Sequence, residues 1–189
     1  MTTICIDPGH GGHARGGGSH DNLDEANWAL NVARLIRGQC SELGVSAHMT
    51  RDSDKYMSLE ERGRRAMQMG AELCLSLHIN SAPEGYDPAS YKGGLVFHAP
   101  GNRRGSMVAE EIARRLPGAL QRARVFPGEA GDFPGVAEVM RCQPGTSVLA
   151  EFGYGSHEYD RTYLLSEWAS AACANAVMGG ILYWLEHYA

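Results

Sequence analysis

The sequence is poor in the features that would assign it to several large classes. Its five cysteines (Cys5, Cys40, Cys74, Cys142 and Cys173) are odd in number and none stands in a C-x-x-C spacing. That excludes a fully paired disulfide framework and a cysteine-built zinc knuckle, and a reducing compartment is the simplest setting. There is no basic run: 17 Lys plus Arg against 22 Asp plus Glu leave a formal charge of −5. Nucleic acid and anionic membrane surfaces, which select clustered cations, are therefore not expected partners. The 18 uncharged residues from Trp168 to Leu185 are diluted by Ser170, Asn175 and many Ala and Gly, which predicts a closely packed core helix and no stable membrane insertion. The first residues show neither a basic segment followed by a long apolar one nor a small-residue cleavage site, so the expectation is a chain made in the cytoplasm without an export signal. Repeats, linkers and low-complexity tracts beyond Gly16–Gly18 are missing too, and 189 residues suit a single domain spanning 1–189 with no appended wall-binding module.

What is present alternates short apolar runs with helical patterns, the signature of an α/β fold: one twisted, mostly parallel sheet of about six strands flanked by helices. Strands are expected at Thr3–Asp7, Val45–Met49, Leu73–Leu77, Gly94–Ala99 and Thr146–Glu151, with further candidates at Arg124–Phe126 and Ala137–Arg141. Trp28, Val32, Leu35, Ile36, Cys40 and Leu43 recur at helical offsets and predict a helix ended by Gly44. Ser58-Leu-Glu-Glu61 is a capping box that starts a second helix running to about Gly70. Ser106–Leu116 predicts a third helix, stopped by Pro117, and Glu167 to about His187 a closing one. Asn80–Lys92, with two prolines, reads as a loop beside a site.

The chemistry-bearing residues concentrate at strand ends. His10 follows the first strand, His78 ends the third, and Glu151 ends the strand that begins at Thr146. Ligands bind outside the carboxyl ends of parallel strands, so these three can converge, and two histidines with carboxylates are a common zinc set. Glu25 stands either as part of a capping arrangement in Asn22-Leu-Asp-Glu25 or as a carboxylate reaching a metal in the neighbouring loop. A carboxylate at the end of the apolar strand Val148-Leu-Ala-Glu151 is costly unless it is paired, near metal or at a cleft. Gly9-His-Gly-Gly-His-Ala14 matches a loose dinucleotide fingerprint, yet the helix that should open within it starts about ten residues later. No phosphate-binding P-loop, G-x-S-x-G elbow or H-E-x-x-H occurs.

Ile4-Cys-Ile-Asp-Pro-Gly-His-Gly-Gly12, Glu25 heading a helix, Thr50-Arg-Asp52, Leu59-Glu-Glu-Arg62, Ser76-Leu-His-Ile-Asn80 and Val148-Leu-Ala-Glu-Phe-Gly153 resemble, in this order, the type 3 N-acetylmuramoyl-L-alanine amidase family of zinc-dependent cell-wall hydrolases. The resemblance implies one zinc ion per chain held by His10, Glu25 and His78, with Glu151 as the catalytic glutamate. It implies hydrolysis of the amide between N-acetylmuramic acid and L-alanine in peptidoglycan, with Glu151 moving the proton of a zinc-activated water. Asp7 is then a candidate to orient a ligating imidazole, and Asn80 to contact substrate or to cap its turn. His13 and His20, in a loop richer in Gly and His than is usual for such proteins, read as exposed residues, and His157 stands where relatives often carry Asn. No insertion capable of blocking the cleft is evident, so an unregulated module without an activator protein is expected, acting on the wall as a phage or prophage endolysin would, with a bacterial amidase trimmed to its catalytic domain as the alternative. The alternative from another class is a muropeptide-binding module of the same fold without turnover.

Overall fold

The computed structural model describes residues 2–120, 124–128, 136, 139, 140 and 145–189. Six strands, β1 (Thr3–Pro8), β2 (Ser46–Met49), β3 (Leu73–Asn80), β4 (Leu95–His98), β5 (Arg124–Pro127) and β6 (Thr146–Tyr154), form one sheet in the order β2-β1-β3-β6-β4-β5. All neighbouring pairs are parallel except β4 with β6, which is antiparallel. The helices are α1 (Glu25–Glu42), α2 (Leu59–Gln68), α3 (Arg103–Arg115), α4 (Glu158–Leu164) and α5 (Ala169–Tyr188). Among the described residues, no helix is long and apolar enough to cross a membrane.

Alternation along the strands gives the sheet two different faces. Ile4, Ile6, Leu73, Leu75, Leu77, Val148, Ala150 and Phe152 join the large core with α1, α3 and α5. The opposite face carries Cys5, Cys74 and Ala66 of α2 in one small cluster, and Leu95, Phe97, Leu149 and Tyr154 with Val136, Val139 and Met140 in another. This second face is where the polar strand residues point.

Several expectations change. Val139 and Met140 are helical, not extended, and lie buried with the helical Val136; offsets of 3 and 4 put all three on one side, a spacing that a five-residue window centred on the valine hid. The outer positions of that expected strand, Ala137 and Arg141, lie outside the described residues. Leu35 and Leu43, taken as core-facing, are 38% and 57% exposed, because Ala26, Ala29, Leu30 and Ala33 complete the buried face of α1 instead. The closing helix starts at Ala169, and a separate short helix, α4, precedes it, capped by His157; its two buried residues, Asp160 and Leu164, carry too little apolar pattern to betray it.

β6 also holds one extra residue against β3: His78 pairs with Glu151, but Asn80 pairs with Tyr154. Gly153, at φ 98°, takes up this β-bulge, and a Cβ there would press on Leu120 and Asp160. The bulge rotates Tyr154 onto the same face as Glu151, and Asp160 Oδ2 fixes it by accepting the Tyr154 and Gly93 amides at 2.9 and 2.8 Å.

Candidate metal centre

Three elements deliver three donors. His10 sits just beyond β1 in the left-handed region, at φ 57°, an unusual conformation for a residue with a Cβ. Glu25 is the first residue of α1, behind the N-cap Asp24, whose side chain accepts the Asn27 amide. The helix start explains why Asp24 caps while Glu25 turns inward: the cap oxygen serves the free amides, leaving the next carboxylate to face the sheet. His78 lies near the end of β3, half-buried.

The donors touch. Glu25 Oε1 lies 3.0 Å from His10 Nε2 and 3.1 Å from His78 Nδ1, and the two imidazole nitrogens are 3.2 Å apart. Glu25 is 1% exposed, and its carboxylate also accepts the Ile79 amide on Oε1 and the Gly18 amide on Oε2. Burial pushes its pKa up, but the two histidines outweigh this by hydrogen bonding and charge, holding it at about 2. Among the described residues these three form the group of His, Cys, Asp and Glu side chains able to hold a metal ion. Zinc bonds of about 2.0–2.1 Å in a tetrahedron set ligands roughly 3.3 Å apart, close to the observed triangle, and such a set leaves a fourth position for water or substrate. The donor chemistry, two imidazole nitrogens and a carboxylate, suits the same ion. Gly16, at φ 93°, makes room: a Cβ there would collide with the Glu25 carboxylate and the His10 ring.

Glu151 stands one strand over, opposite His78. Its Oε2 is buried without a hydrogen-bond partner, and burial, followed by the charge of Glu25, raises its pKa well above the ordinary 4.5. Glu151 lines, with His10 and His78, a cleft of about 440 Å³ whose other walls include Asp7, Arg62 and Asn80 and the apolar side chains of Leu59, Val139 and Leu149.

Asp7 faces this cleft too, with its carboxylate taken up by Thr50 Oγ1 at 2.5 Å, Arg62 Nη1 at 2.8 Å and Ser76 Oγ at 3.0 Å. Burial pushes its pKa up, and the Arg62 charge with the Thr50 and Arg62 hydrogen bonds brings it below the usual carboxylate value. Asn80 Oδ1 accepts the Ser81 amide. His13 and His20 are exposed and outside the donor triangle; His13 stacks on Tyr56 and His20 pairs with Asp21.

Two residues that sequence reasoning quoted without assigning a role prove central. Arg62 donates to the carbonyls of Met57, Pro8 and His10, and Arg51 to those of Pro8, Gly9, Ser53 and Ala26. Together they pin every carbonyl from Pro8 to His10, which is how the chain holds His10 in its strained conformation. A signal existed: Arg62 lies three residues after Leu59 and four before Ala66, on the buried stripe of α2 where a cation has no reason to be unless it is paired.

Residues 4–183 match the family model for N-acetylmuramoyl-L-alanine amidase. The chain belongs to that family. As an amidase by membership, it resembles the uncharacterized protein YqiI of Bacillus subtilis, 30% identical over 185 residues that cover 95% of this chain and 82% of YqiI. It is 27% identical to the probable cell wall amidase LytH of Staphylococcus aureus, covering 95% of this chain but spanning only 57% of LytH. Among solved structures, the amidase AmiC2 of Nostoc punctiforme superposes with a TM-score of 0.83 at 26% identity, covering 98% of each chain. The CwlD amidase of Clostridioides difficile, solved in complex with the GerS lipoprotein, superposes with a TM-score of 0.84 at 21% identity, covering 98% of this chain and 99% of CwlD. The single α/β domain with its mostly parallel six-stranded sheet is thus the amidase catalytic fold.

Proposed function

We propose that this amidase cleaves the amide joining the lactyl group of N-acetylmuramic acid to L-alanine in peptidoglycan, using one zinc ion held by His10, Glu25 and His78. The observation that carries the reading is the juxtaposition of that donor triangle with Glu151, a buried and unpartnered carboxyl across one strand pair. Zinc in such a site supplies a Lewis acid for a carbonyl and lowers the pKa of its water from about 15.7 toward 7.

The chain's own groups do the rest. Glu151, opposite His78 and with a carboxyl oxygen left unpartnered, is placed to take a proton from water and return it to the leaving amine nitrogen. Leu59, Val139 and Leu149 make an apolar wall that keeps bulk water off the transferred proton and strengthens each charge interaction inside. Arg62, balanced by Asp7, adds no free cation to the cleft.

The test is digestion of purified sacculi by the chain alone. New L-alanine amino termini, abolished by chelation, restored by zinc and lost in Glu151→Gln with zinc still bound, are the expected result. Zinc binding without release, in the wild type, would favour the muropeptide-binding reading, and release only with an added protein would overturn activator independence.

A further inference from the structure

Among the described residues, four buried side-chain atoms lack a hydrogen-bond partner: Gln39 Oε1, Asn80 Nδ2, Glu151 Oε2 and Trp184 Nε1. Two of these four belong to one cleft. Native chains leave few such atoms because each is costly, so a donor and an acceptor orphaned in one ligand-sized space point to a ligand that completes them.

The direction of the Asn80 amide is fixed by its surroundings. The Ser81 backbone N–H can only donate, and it lies 2.8 Å from the Asn80 terminal atom, which must therefore be the oxygen. The free end is the NH2. Asn80 O is likewise occupied, accepting the Gly155 amide at 2.9 Å, so the turn is closed on both sides and the side chain is held in place. A turn cap alone would need the oxygen and nothing more.

We propose that Asn80 binds substrate, its Nδ2 donating to a carbonyl oxygen of the stem peptide beyond L-alanine. This rests on the peptidoglycan reading above. Asn80 lies two residues past His78, its backbone roughly 6–7 Å further along β3 at about 3.3 Å per residue and on the same face of the strand, which suits a contact beyond the carbonyl being cleaved. With that carbonyl on the stem side of the bond, as proposed, Asn80 selects for an extended peptide and leaves the chemical step to Glu151 and the metal group.

Two variants separate the donor from the cap. Asn80→Asp keeps an oxygen for the Ser81 amide and loses the NH2, whereas Asn80→Ala loses both. Both should raise KM about tenfold on substrates with a full stem, with kcat and zinc content near wild type, and neither should matter for N-acetylmuramoyl-L-alanine lacking the rest of the stem. An effect confined to Asn80→Ala would reduce the residue to a turn cap, and an equal effect on both substrates would place the contact elsewhere; either result overturns the proposal. In 15N-labelled wild-type protein, the Asn80 side-chain NH2 resonances should shift as released stem peptide is added, and no shift at saturation would also overturn it. If the wild type releases nothing from any substrate, it is the peptidoglycan reading that fails.

Discussion

Replacing Arg62 by Lys keeps one positive charge beside Asp7 but removes the planar fork. Arg62 makes four hydrogen bonds, to Met57 O at 3.2 Å, Asp7 Oδ1 at 2.8 Å, Pro8 O at 2.7 Å and His10 O at 2.6 Å. An ammonium group at the end of a flexible stem can meet one or two of these, and since Arg51 still serves Pro8 O, the carbonyls left short of a donor are those of Met57 and His10. At about 1–3 kcal/mol for each unsatisfied group, partly relieved by local relaxation, the variant should lose about 3 kcal/mol. A chain of this size melts roughly 2–4 °C lower per kcal/mol, so calorimetry should show a fall of about 6–12 °C. The pH dependence has a definite sign. The Asp7 carboxyl is held below its ordinary 3.8, so its stabilisation is present at neutral pH and is lost as pH falls through that range. The gap between Arg62→Lys and wild type should therefore be widest near neutrality and narrow below about pH 4. Because His10 is the end of the pinned segment, zinc affinity measured by chelator competition should fall about tenfold, well below the melting temperature of either protein. A melting point within about 2 °C of wild type, with unchanged zinc affinity, would refute the idea that this guanidinium sets the ligand loop.

Glu151→Gln should stabilise the metal-free protein at high pH. The raised pKa means the wild-type Glu151 contribution is intact below 4.5 and is lost as pH rises through its folded value, so the variant should melt higher at about pH 8 and alike near pH 4, and parallel curves would contradict this. Gly16→Ala forces a Cβ into a left-handed backbone, costing about 1–2 kcal/mol, and drives it against Glu25 and His10; zinc retained after dialysis should drop more than about tenfold, and full retention would mean the loop gives way freely.

How much of this was legible in the sequence depends on what each residue advertises. His10, His78 and Glu151 could be found because strand ends on a parallel sheet collect ligands, and their neighbours are apolar enough to mark the strands. Glu25 could not be assigned from the residues alone, since a helix-starting carboxylate serves capping and ligation equally well; the structure gives the cap to Asp24 and turns Glu25 inward. Arg51 and Arg62 stayed silent because their partners are backbone carbonyls, which carry no sequence signal. The bulge at Gly153 was equally hidden, as a glycine after Glu-Phe reads as a strand terminus until the register of the neighbouring strand is known.

The division of the sheet into an apolar face and a polar one makes strand register a lock on the chemistry. On one face Ile4, Leu75 and Val148 hold three long helices; on the other, residues one position away carry the cleft. Divergence can exchange Leu, Ile and Val across the large core and reshape its packing without displacing a donor, because no side chain there reaches across the sheet. A single inserted or deleted residue within β1, β3 or β6 has the opposite character: it would send carboxylates and imidazoles into the helical layer and leucines into the cleft, losing core and site together. Substitution within the large core is therefore tolerated where a change in the length of these three strands is not.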